Sequence, residues 1–277
     1  DTKYSLRYWR VIIGPWLITF IPIVFDRWSC LEKTLSSNSI KGIMALDSDI
    51  LDRIPTDMPH FCSLQESDWW NSHLFSLILK SFDFGKMICW SEINRAENES
   101  IISIDKTENI SSITKRTIFK TLSFLKLNTS YFIITPYLNL IDNIRLHLKL
   151  YQIPMIYQGT RITNLAPDSL YRKWNLSNLE LNNDFERILK ELIPLQMPLV
   201  YLEGYKRLYK ETKYINWPNS PKLIWTSNSF YSDDMFKMWA GKKVENGVPL
   251  VIGQHGGHYG QGLFSFPEYH ELMICDR

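Results

Sequence analysis

From residue 131 onward, short β-rich runs alternate with stretches of helical spacing, and that alternation leaves few folds open. Residues 131–135 are β-rich and stop at Pro136; 223–226 and 249–252 are further short apolar runs, and Met155 to Tyr157 is another candidate strand. Between and around them 138–150, 185–195 and 199–214 have helical spacing. Ser232-Asp233-Asp234 offers a helix cap ahead of Met235, Phe236 and Trp239, and Gly247 stops that helix. Strands that alternate with helices predict a mainly parallel sheet covered on both faces. The expected fold class is α/β, a Rossmann-like parallel sheet with helices on both faces.

The first half is less regular. Residues 11–25 form an apolar run that holds Gly14, Pro15 and Pro22. At roughly fifteen residues it is shorter than the about twenty that a spanning helix needs. The expectation is a buried, kinked core helix, with a shallow membrane-facing helix as the alternative. Residues 40–46 read as a strand, followed by a polar loop with Asp47, Asp49 and Asp52. Ser67-Asp68 can cap a helix to about Phe82, with Trp69, Leu74, Leu77 and Ile78 as its apolar stripe. The polar, Asn/Ser/Glu-rich residues 91–112 read as a surface loop or insertion.

Charge excludes one class of partner. With 31 Lys and Arg against 29 Asp and Glu, the net charge is +2, and no basic stripe is set apart; Glu203, Lys206, Arg207, Lys210, Glu211 and Lys213 mix their signs like a solvated helix face. A nucleic-acid partner is not expected. Cys30, Cys62, Cys89 and Cys275 are far apart and form no CxxC pair, which signals neither zinc nor redox chemistry and suits a reducing, cytoplasmic compartment. The chain reads as a single α/β domain over 1–277. It begins at Asp1 instead of Met and stops at Cys275-Asp276-Arg277, so we expect a fragment of a longer protein.

Chemistry concentrates after the last strand. His255, His258 and His270 lie there together with Gly253, Gly256, Gly257, Gly260 and Gly262. Ligands in open α/β sheets bind beyond the carboxyl ends of strands, so Gln254-His255-Gly256-Gly257 stands where a site is expected. Glycines permit close backbone approach to a ligand, and their amides can form an anion-binding nest. An imidazole can take a proton from a hydroxyl near neutral pH. That combination suits transfer of a phosphate-activated group onto a hydroxyl, with His255 as base. Gln254, Gly256, Gly257, His258, Tyr259 and Gly260 are the candidate substrate contacts in the loop. Glu268 and Glu271 are three apart, on one face if Pro267 opens a helix; one could orient His255 or contact a sugar hydroxyl, and a solvated first helical turn is the alternative. His255, His258, His270 and Glu271 match none of the HExxH, HxxEH or CxxC patterns, so no metal is expected. Asn228 and Ser229 follow the strand at 223–226 and are a second pair of candidate contacts; helix capping is the alternative for the serine.

These residues resemble a family of transferases encoded in O-antigen biosynthesis regions of spirochaetes and other bacteria. The resemblance lies in Tyr8-Trp9-Arg10-Val11-Ile12-Ile13-Gly14-Pro15-Trp16-Leu17 with Asp26-Arg27, in Thr226-Ser227-Asn228-Ser229-Phe230, and in Phe236-Lys237-Met238-Trp239-Ala240. It is most specific in Gly253-Gln254-His255-Gly256-Gly257-His258-Tyr259-Gly260, with Glu268 and His270-Glu271 after it. It spans nearly the whole chain, is densest at the two ends and is poor over 91–130. It implies a two-domain enzyme of GT-B type that continues past Arg277, with this chain as the N-terminal, acceptor-side part. The Gln-His-Gly core is also similar to the His-Gly element of polyol-phosphate polymerases of cell-wall synthesis, where a His is the base.

The resemblance thus implies a glycosyltransferase-like enzyme of surface-polysaccharide synthesis. It would use a nucleotide-activated sugar as substrate, with no bound cofactor, and a glycan or lipid-linked glycan as acceptor. Its place would be cytoplasmic, or peripheral at the inner face of the bacterial membrane. Two alternatives stay open: a polyol-phosphate transferase of CDP-glycerol type, and a non-catalytic scaffold of a polysaccharide assembly.

Overall fold

The computed structural model of the chain describes residues 3–37, 40–47, 49, 51, 53–81, 88–92, 130–154, 157, 159–174, 176, 183–256 and 259–277. The chain is mixed α/β and forms two compact units interleaved along the sequence. One comprises 1–12, 98–160 and 211–277; the other comprises 13–97 and 161–210.

Helix α1 (Leu6–Ser37) contributes its first residues to one unit and the remainder to the other. It is longer than the apolar run at 11–25 and continues through Pro15 and Pro22. An interior proline removes a backbone hydrogen bond and costs about 3 kcal/mol. The opposing term is burial: Tyr8, Ile12, Trp16, Phe20 and Val24, spaced by four, are each 0% exposed. Such a side chain contributes about 1.5–3 kcal/mol when fully buried. By length and composition Leu6–Ser36 could cross a membrane, a test that core helices also pass; 44% of its most apolar window is buried.

In the 13–97/161–210 unit, β1 (Ile43–Asp47) pairs in parallel with β2 (Ile88–Glu92). β2 is a strand that sequence reading does not find. Ile88-Cys89-Trp90 is too short a β-prone run to stand out beside its polar sequel, and its pairing with β1 is what orders it. Two residues of the expected 91–112 loop therefore belong to β2; 93–112 lie outside the described residues. Helix α2 (Met58–Leu64) precedes α3 (Asp68–Ser81), which packs against β1. Phe20, Phe61 and Trp70 meet edge to face in this core, and the Trp70 indole N–H donates to Gln196 at 3.2 Å.

Within the same unit, the helix expected over 199–214 is two pieces, a 3-10 turn at Leu199–Tyr201 and a helix at Tyr205–Glu211. Tertiary bonds decide this: the amides of Leu199 and Val200 donate to the carbonyls of Pro55 and Thr56 at 2.8 and 2.9 Å.

The other unit carries a sheet of β3 (Tyr131–Ile134), β4 (Leu223–Thr226) and β5 (Leu250–Ile252), parallel and in sequential order. Gln152 clips one edge by accepting from the Tyr131 amide and donating to its carbonyl, at 3.0 and 2.8 Å. Phe132 is buried among Tyr157, Trp217, Phe236 and Trp239, with ring centroids 4.0–6.2 Å away. Such large apolar rings supply most of the burial that holds a small sheet. Of the strand expected at 155–157, Met155 and Ile156 lie outside the described residues, and Tyr157 is in no strand.

Helices in this unit follow the sequence closely. Leu140–Lys149 is helical after β3. Asp233 caps the helix Asp234–Glu245, accepting from the Phe236 amide at 2.9 Å. Ser265 caps the helix Phe266–Ile274, whose first turn holds Pro267. Residues 276 and 277 run beside β5, with Asp276 N–H donating to Leu250 and Ile252 N–H to Arg277, at 2.8 and 3.0 Å.

Candidate active site at the strand ends

Because β3, β4 and β5 are parallel and in register, Ile134, Thr226 and Ile252 end side by side. The residues just beyond them meet on one edge of the sheet: Thr135-Pro136-Tyr137, Ser227-Asn228-Ser229 and Gly253-Gln254-His255. This is the edge at which open parallel sheets bind ligands.

A hydroxyl cluster ties the first two connections together. Thr135 Oγ1 lies 3.0 Å from Thr226 Oγ1 and 3.1 Å from Ser229 Oγ, and the Ser229 amide donates to Thr226 Oγ1 at 3.0 Å. Thr135 has φ +47° and Tyr137 φ +53°, the left-handed region that a β-branched residue rarely enters. Strain of this kind costs on the order of 1–3 kcal/mol and is held only where its surroundings over-determine it; here the hydroxyl bonds do so. The turn aims Tyr137 across the strand ends. Its hydroxyl accepts from the Asn228 amide, and its ring lies 6.1 Å from the His255 ring, 15° from parallel.

The third connection leaves β5 through Gly253, whose amide donates to Thr226 at 2.9 Å. Gln254, His255 and Gly256 are exposed, and Gly256 and Gly260 have φ +111° and +69°, where glycine avoids the Cβ clash. Gly257 and His258 lie outside the described residues.

Tyr259 stands between His255 and the helix Phe266–Ile274. Its hydroxyl donates to Glu271 Oε1 at 2.6 Å and lies 3.5 Å from His255 Nδ1. Glu271 is buried, and desolvation pushes its carboxyl above the usual range against the opposing pull of Tyr259 and His255. Burial and the bond to Glu271 push the Tyr259 phenol upward too, so it keeps its proton. Glu268 accepts from the Gly260 amide at 3.4 Å. His270 is buried on the same helix, with its Nε2 3.0 Å from the Arg10 carbonyl and burial lowering its pKa. It fastens the helix that carries Glu271. Among the described residues no group of three His, Cys, Asp or Glu is placed to hold a metal.

The structure therefore brings Gln254, His255, Gly256, Tyr259, Gly260, Glu268 and Glu271 together, with Asn228 beside them. Ser229 is 5% exposed and engaged in the hydroxyl cluster, where it shapes the Thr135 turn. Sequence reading missed Thr135 and Tyr137. The signal was available: they end β3 as Asn228 and Gln254 follow β4 and β5, but alignment of the three ends requires the strand register.

In comparison with known proteins, the family model described as LIC12162 family transferase matches residues 1–277. No curated protein and no solved structure is found to match.

Proposed function

The chain belongs to the LIC12162 family of transferases, and from that premise we propose that it transfers a sugar from a nucleotide-activated donor to a hydroxyl of a growing surface glycan of O-antigen type. The observation that carries this reading is the exposed His255 imidazole at the joined ends of three parallel strands, faced by Tyr137 and backed by Tyr259 and Glu271. In the proposed reaction the acceptor oxygen attacks the anomeric carbon of the donor. The bond from that carbon to the phosphate oxygen breaks, the nucleotide leaves (a nucleoside diphosphate, or a monophosphate from a CMP-sugar), and the acceptor proton passes to His255.

The exposed Tyr137 face suits an acceptor sugar ring, since sugars present C–H faces to aromatic rings. Gln254, Asn228 and Glu268 are placed to meet hydroxyls. These contacts are neutral or acidic, which suits a glycan better than the phosphates of a donor and supports the acceptor-side role in a GT-B arrangement. Among the described residues, the amide of the Gly256 turn is the group offered to developing negative charge. Nucleotide sugars are cytoplasmic metabolites, so the reaction would run in the cytoplasm or at the inner membrane face.

A donor screen tests this. CDP-, UDP-, GDP- and CMP-linked sugars and polyols are added to the enzyme with both domains of the proposed GT-B arrangement and its melting temperature is followed, since a ligand of the native state raises Tm by mass action. The expected result is a shift with one nucleotide sugar, and turnover that His255→Ala abolishes while folding is kept. A shift with a CDP-polyol alone would replace sugar transfer by polyol-phosphate transfer. No shift with any donor, or wild-type turnover in His255→Ala, overturns the proposal.

A further inference from the structure

We propose that Tyr259 is a positioning residue that holds the His255 imidazole in the tautomer with hydrogen on Nδ1, leaving Nε2 free to take the acceptor proton, and that Glu271 fixes the phenol in turn. The inference rests on the reading of His255 as the base, and it assigns which nitrogen acts and why.

A phenol has one proton to give. That of Tyr259 goes to Glu271 Oε1 at 2.6 Å, the short separation of a charge-assisted O–H···O bond. The phenol oxygen then offers only lone pairs elsewhere. It faces His255 Nδ1 at 3.5 Å, the outer limit of a hydrogen bond. A group that can only accept selects the ring nitrogen that donates. Nδ1 must carry the hydrogen, and the lone pair falls to Nε2, as an orienting acceptor does for the histidine of a hydrolase triad.

The support behind Tyr259 is rigid. Glu271 sits on a helix capped by Ser265 and fastened through His270 to the Arg10 carbonyl, while His255 and Tyr259 are on the loop. Glu271 is therefore the fixed post and Tyr259 the arm that reaches the imidazole. Among the described residues the titratable groups around that arm are His255, Glu268 and Glu271, and Tyr137 faces the imidazole from another side.

The test reads the tautomer directly. His255 is observed by long-range proton–nitrogen correlation in nitrogen-15-labelled protein at about pH 8.5, where an ordinary imidazole is neutral, and His255→Ala identifies its signals. The expected spectrum is the Nδ1–H form in wild type and its loss in Tyr259→Phe and Glu271→Leu, which removes the acceptor of the phenol proton, with Tm confirming that both variants fold. Turnover of Tyr259→Phe should fall at least about tenfold through kcat with KM little changed, as expected when an imidazole is misoriented. An Nε2–H imidazole in wild type, or an Nδ1–H imidazole untouched by Tyr259→Phe, overturns the proposal. Neither result depends on turnover, so failure of the tautomer assignment is distinguishable from failure of His255 as the base, which the alanine variant decides.

Discussion

Gly253 lies against the edge of the Trp225 indole, so close that a β-carbon at this position would stand 2.4 Å from Trp225 Cζ2 and 3.1 Å from Ser227 Oγ. The glycine is the first residue beyond β5, and Trp225 is on the neighbouring strand β4. The missing side chain is what lets the His255 loop leave the sheet beside β4. Gly253→Ala is therefore expected to destabilise the protein by about 1–3 kcal/mol, the cost of overpacking, measured by denaturant unfolding. An unchanged midpoint would show that the indole yields freely.

Arg172 and Glu203 form a buried ion pair, with side chains 1% and 7% exposed and N–O separations of 2.7 and 2.8 Å. Arg172 also donates to the carbonyls of Pro194, Leu195 and Met197. Glu203→Ala leaves the guanidinium charge buried without its carboxylate, so stability should drop by about 3–5 kcal/mol. Urea unfolding checks this, and a loss below about 1 kcal/mol would mean that water reaches the site.

Asp276 links the C-terminal residues to α1 and β5. Its carboxylate accepts from Arg7 at 2.7 and 3.1 Å and from the Leu250 amide at 2.8 Å. The Arg7 bonds hold its pKa below the usual carboxylate range. A depressed carboxyl contributes stability that is present above its unfolded pKa and lost as pH falls through the folded value. Asp276→Asn should thus be less stable than wild type near neutral pH, and the gap should close in acid. With the Arg7 and Asp276 side chains 31% and 41% exposed, the neutral-pH gap is about 1 kcal/mol or less. Thermal unfolding over a pH series measures it; a gap that widens in acid would contradict the assignment.

Tyr137 carries the proposed acceptor contact. Tyr137→Ala should raise KM for the glycan acceptor about tenfold while leaving KM for the donor unchanged, the size of one lost aromatic contact. Tyr137→Phe keeps the ring and should lie near wild type. Equal effects on both substrates would place Tyr137 outside the acceptor contact.

Read residue by residue, the sequence located what local chemistry controls. The short runs that became β3, β4 and β5 stand between turn and cap residues, Asp233 caps its helix, and Pro267 opens the last one; each of these signals acts within a few residues. The glycines and histidine after β5 were visible for the same reason. Long-range contacts decided the remainder. β2 exists through its pairing with β1, and α1 passes two prolines because a stripe spaced by four is fully buried. Tyr137 faces the His255 ring, and Tyr259 bonds Glu271, only because strand register and helix docking bring distant residues together. Periodicity and capping are written in neighbouring residues, whereas the groups that surround one imidazole are chosen by how the whole unit packs.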